Sequence, residues 1–122
     1  MSKQSPTKRT LDYLRGLGFG AEVVEHWNYF ARCRKDLIGC VDILAMRPDW
    51  GIVGIQACAG GDLSRRLKKA IAEPRLGLWL LCHAHFLVIG WRVLAQQGFQ
   101  PLIKKVVYAG GSLFVLDVDK IL

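Results

Sequence analysis

Two apolar runs separated by a five-residue break constrain this chain more than anything else in it. The first is Lys35-Asp-Leu-Ile-Gly-Cys-Val-Asp-Ile-Leu-Ala-Met46 and the second is Ile52-Val-Gly-Ile-Gln-Ala-Cys-Ala59. Pro48, Asp49 and Gly51 in the break are strong turn formers, so the runs predict antiparallel strands over Cys40–Met46 and Ile52–Ala59. A turn centred between Asp49 and Trp50 brings position 42 to within one residue of being opposite position 56. Side chains alternate along a strand, so that register puts Cys40, Asp42, Gln56 and Cys58 on one face and Val41, Ile43, Ile55 and Ala57 on the other. A carboxylate and an amide then meet between two otherwise apolar strands.

The rest of the chain is read outward from this pair. Gly60-Gly61 and Asp62 announce a helix over 62–72, with Asp62 as its N-cap and Leu63, Leu67, Ala70 and Ile71 as its apolar stripe. Arg65 and Lys69 point away from that stripe, and Arg66 and Lys68 flank it. Beyond Pro74, Leu76–Cys82 reads as a short helix and His85–Val93 as a buried strand. A crossover of that length makes the strand parallel to the preceding one. Ile103–Tyr108 and Leu113–Val118, joined at Gly110-Gly111, read as a closing hairpin, and Gln96–Gln100 as a loop. Towards the N-terminus, Ser5-Pro6 starts a helix whose stripe is Leu11, Leu14 and Leu17, and Gly18 stops it. Ala21–Tyr29 reads as a strand. Arg32, Arg34 and Lys35 follow it in a polar connection.

Composition limits the function classes. One domain of 122 residues is the expectation, and the net charge of +7 favours an anionic partner, nucleic acid before a membrane surface. Met1–Leu17 has no continuous apolar core of the kind a leader needs, and Leu76–Trp91 is interrupted by His83 and His85. The four cysteines (Cys33, Cys40, Cys58, Cys82) lack close pairing, which predicts reduced thiols in a cytoplasmic protein. A zinc site built from Cys40, Cys58 and the Cys82, His83, His85 cluster is a rival, without the paired spacing zinc sites show. A Cys–His nucleophile pair is another, with nothing to hold its geometry. Trp27, Trp50, Trp79 and Trp91 read as core or turn residues, although Trp50, at a hairpin tip, is also placed to meet a base or a partner chain.

The order helix, three antiparallel strands, helix, parallel strand, with Asp42 in DLIGCVDILAM and GIQACAGG fourteen positions on, resembles the PD-(D/E)XK nuclease superfamily. Within it the likeness is to small phage and bacterial proteins related to Holliday-junction resolvases, over about residues 10–92. The resemblance implies an α/β fold with a restriction-endonuclease-like αβββαβ core, a mixed sheet and an added C-terminal β-hairpin. It also implies a metal-dependent phosphodiesterase that acts on DNA through weakly bound Mg²⁺ or Mn²⁺, and a homodimer. Carried over by position, Asp42 is a metal ligand. Gln56 stands where the family has its second acid and serves as an auxiliary ligand. Cys58 stands where the family has its lysine. A helical glutamate has only Asp12 to replace it. Lys35 or Arg34 would supply a nearby cation and Asp36 a second carboxylate. Arg65, Arg66, Lys68, Lys69 and Arg34 would meet DNA phosphates. Gln-x-Cys in place of acid-x-Lys carries the alternative, a catalytically inactive nuclease-like fold that binds nucleic acid or serves an assembly.

Overall fold

The computed structural model describes residues 4–122. Helix α1 (Pro6–Gly16) begins as the sequence predicts: the Ser5 hydroxyl accepts from Lys8 N at 3.1 Å and Pro6 fills the first helical position. It ends in a Schellman closure, in which Gly18 N–H donates to Arg15 O and Phe19 N–H to Leu14 O. That closure needs the left-handed backbone Gly18 adopts, with φ of 88°.

The predicted strand over 21–29 divides. Strand β1 (Gly20–Val23) joins the main sheet, whereas β2 (His26–Asn28) pairs with β3 (Cys33–Lys35) in a separate two-stranded ribbon. The polar connection around Arg32, Arg34 and Lys35 is therefore the returning arm of a hairpin. The Asn28 side chain, which closes a tight loop by accepting from Phe30 N and Ala31 N, is the local cause. Strand β4 (Ile43–Arg47) is shorter than predicted, because Cys40 and Val41 lie in a tight turn closed by reciprocal Leu37–Val41 backbone bonds. Strand β5 (Gly51–Ala59) follows the expected turn, and the ladder runs from Arg47↔Gly51 to Ile43↔Ile55, ending just short of positions 42 and 56.

A 3₁₀ turn over Gly60–Asp62 leads into α2 (Leu63–Ile71), and α3 (Pro74–Leu81) follows. Pro74 starts α3 rather than only ending its predecessor, with the Glu73 carboxylate accepting from Arg75 N as the cap. Strand β6 (His85–Leu94) runs parallel to β5, as the crossover rule predicts. Strands β7 (Gly98–Ala109) and β8 (Ser112–Val118) form the C-terminal hairpin, with β7 taking in Gly98–Gln100 that reads as loop in the sequence. The result is an α/β fold around a mixed six-stranded sheet of order β1-β4-β5-β6-β7-β8.

Helix α1 covers one face, where Leu11 and Leu14 meet Ile43, Ile55, Ala57, Leu87 and Ile89. Helices α2 and α3 cover the other, where Leu63, Ala70 and Leu76 meet Cys58, Phe86, Val88 and Val106. Val41 sides with the second cluster, contrary to strict alternation, because the turn at 40–41 rotates it out of the strand register. No helix among the described residues is long and apolar enough to cross a membrane.

One packing contact is unusually tight. A Cβ at Gly54 would lie 2.7 Å from Val41 Cγ2 and 2.8 Å from Trp79 Cζ2. The indole cannot retreat freely, since its Nε1 donates to His85 O at 2.8 Å. Gly54→Ala is expected to lower the unfolding free energy by about 1–3 kcal/mol, read from the urea midpoint at unchanged m-value.

Candidate functional site

The site lies where β4 leaves β5. Asp42 N–H donates to Ile55 O, the residue paired with Ile43, so the chain bulges at Asp42 and its side chain swings across β5. The carboxylate takes the Ala57 N–H on both oxygens, at 3.2 and 3.3 Å, and Gln56 Nε2 at 2.8 Å. Only 4% of Asp42 and 1% of Gln56 is exposed. The sequence therefore pairs the right two residues, and the fold buries them.

Burial governs the chemistry of this pair. Loss of water pushes the Asp42 pKa up to about 7, and the negative charges of Asp36 and Glu25 add to the rise. The bonds from Ala57 and Gln56 oppose it without cancelling it. With its amide nitrogen turned towards Asp42, Gln56 leaves Oε1 buried without a partner.

Beside the pair opens a cavity of about 240 Å³ lined by Pro6 and Thr7 of α1, Glu25, Asp42, Ala57, Cys58, Ala59, Asp62 and Arg66. Glu25, in the link between β1 and β2, escapes the sequence reading because it looks like one polar residue in an alternating strand. Its neighbour across the hairpin is Arg34, 3.8 Å away. Arg66, read from the sequence as merely flanking, is the one cation of α2 that lines the cavity, and its Nε is buried without a partner.

Other expected members fall elsewhere. Lys35 is exposed on β3 and lines no part of the cavity, since the ribbon carries it outward. Asp36 also stays off the cavity lining and reaches Asp42 only through its charge. Asp12 is held on the outer side of α1 by Lys8 Nζ at 2.7 Å and Gln4 Nε2 at 3.2 Å. Asp62 makes no N-cap bond, because its carboxylate turns to Arg65 at 3.0 Å. Trp50 folds back against Phe19 and His85, under Lys105, and is no free hairpin tip.

Cys58 and Cys40 are free thiols in the apolar cluster under α2 and α3. Burial pushes Cys58 up to about 11 and Cys40 up to about 12, so both are neutral near pH 7. Neither is a ready thiolate for zinc or for nucleophilic attack. Arg66 is the largest influence that lowers the Cys58 pKa.

The donor set does not fit Mg²⁺ or Mn²⁺. Such ions bind oxygen ligands and prefer carboxylates with free lone pairs. Here the carboxylate faces three donor contacts, the Gln56 carbonyl is turned from it, and no three His, Cys, Asp or Glu side chains among the described residues are grouped so that they could hold a metal ion. No family model, curated protein or solved structure matches the chain.

Proposed function

We propose that this chain is a DNA-binding domain on a nuclease-like frame, in which the Asp42–Gln56 pair is a structural latch and catalysis is absent. Support for the frame comes from the order α1, β1, β4, β5, α2, β6 with β5 and β6 parallel, into which the β2–β3 ribbon is inserted. Support for the latch comes from the three donor contacts that hold Asp42.

The observation that carries the binding reading is Arg66. Its side chain lines a polar cavity, its Nε is buried without a partner, and Arg65, Lys68 and Lys69 stand exposed on the same helix. Phosphate oxygens satisfy such a guanidinium, and the exposed cations add charge neutralisation that carries no sequence preference. If α2 neutralises about three or four phosphates, log Kd plotted against log salt has a slope of roughly 3 in magnitude. Arg65→Ala with Lys69→Ala is expected to reduce that slope by about 2, whatever the DNA sequence. Binding that ignores salt, or a slope unchanged in the double variant, removes α2 from the interface.

A second reading, the metal-dependent phosphodiesterase, is favoured by Glu25 and Asp62 sharing the cavity with Asp42. Incubation with linear and branched DNA in Mn²⁺ separates the two. Cleavage that is lost in Asp42→Asn supports the hydrolase, and no cleavage of DNA that is nevertheless bound supports the binding domain.

A further inference from the structure

The ribbon of β2 and β3 carries the two most exposed aromatic residues among the described residues, Phe30 and Tyr29, with Trp27 beside them. Phe30 is fully exposed, Tyr29 is 82% exposed and Trp27 is 49% exposed. They are not on a slack loop. The Asn28 carboxamide accepts from Phe30 N at 3.0 Å and Ala31 N at 2.9 Å, and Arg32 takes the left-handed conformation that closes the turn. Arg34 lies opposite Trp27 across the ladder, and Lys35 opposite His26. The outgoing arm and tip therefore present rings and the returning arm presents cations, on a preformed hairpin.

We infer that this hairpin is a base-stacking arm for DNA with unpaired bases, such as single strands, forks and branches. The inference rests on the DNA-binding reading above and names its substrate class. Aromatic faces held clear of the body stack on any exposed nucleobase, and adjacent arginines neutralise the phosphates between bases. In an intact duplex the bases are stacked on each other and offer no face to the arm. The location agrees: Glu25, the residue that enters the ribbon, lines the same cavity as Arg66, so arm and basic helix flank one space.

The test compares binding of the full chain to a single strand, a forked duplex and a blunt duplex at one salt concentration. The expected result is tighter binding to the first two. Tyr29→Ala with Phe30→Ala should weaken those by roughly 5- to 100-fold and the blunt duplex by less than about twofold. Phe30→Trp should retain binding, and Phe30→Leu should lose it, because leucine keeps apolar bulk without a stacking face. Circular dichroism of each variant should match the wild type, since every substituted side chain is exposed. Equal loss on all three DNAs, or no loss, overturns the arm while leaving DNA binding in place. So does a Leu variant that keeps full affinity, or rings needed for phosphatidylserine vesicles rather than DNA. A wild-type chain that binds none of the DNAs overturns the arm and the DNA-binding reading together.

Discussion

Asp42→Asn is expected to raise the unfolding free energy by roughly 2–4 kcal/mol at about pH 8, and to leave it nearly unchanged at about pH 4. The reason is the cost of ionising a buried group. In the folded chain Asp42 titrates at about 7 against an ordinary 3.8, so between those values the folded state holds a proton that the unfolded state has released. Unfolding free energy therefore falls as pH rises through that window, and levels off above it. A carboxamide removes the titration. Its oxygen can keep the Ala57 N–H, and its nitrogen can donate to Gln56 Oε1 once that amide turns over, which satisfies the orphaned carbonyl. Urea unfolding at several pH values checks this. A wild-type stability that is flat between pH 4 and 7, or an Asn variant that is destabilised at pH 8, would show that the carboxylate is held as an ion by something other than Ala57 and Gln56.

Gln56→Glu should have the opposite sign and a comparable size. It restores the acid of the nuclease pattern, and it also replaces the 2.8 Å Gln56–Asp42 hydrogen bond with two carboxyl groups in contact. Such a pair shares one proton, so the variant is expected to be folded in mild acid and to lose about 3–5 kcal/mol near pH 8, where neither group can stay charged without a partner. Added Mn²⁺ should then restore the midpoint in proportion to its concentration, because paired carboxylates bind what an amide that donates does not. The wild-type midpoint should not move with Mn²⁺. A wild-type chain stabilised by the ion would reinstate Asp42 and Gln56 as ligands.

The two substitutions bear on one feature that sequence exposes well. Turn residues at 48–51 set the β4–β5 register, and that register brings Asp42 close enough for its carboxylate to meet Gln56. Ser5-Pro6, Gly18 and the β5–α2–β6 crossover are legible for the same reason: capping, left-handed turns and crossover handedness depend on a few neighbouring residues. Where a reading failed, a competing partner decided the outcome. Asp62 would cap α2 by local preference, yet Arg65 takes its carboxylate. Trp50 would crown a hairpin, yet Phe19 and His85 draw it onto the body.

Arg34 and Lys35 share the second difficulty in a different form. A mixed run of rings and charges has no hydrophobic period, so it reads as a connection. What makes it a ribbon is the pairing of 26–28 with 33–35 and the Asn28 bonds at the tip. Sequence by itself determined the α/β order, the parallel crossover, the Asp42–Gln56 pairing and the basic character of α2. Tertiary structure alone decided that the pair is buried with its donors inward, that Glu25 and Arg66 share its cavity, and that Tyr29 and Phe30 stand clear in solvent. The division follows from range: periodicity and turn chemistry act over a few residues, whereas burial and the direction of a side chain depend on what packs above it.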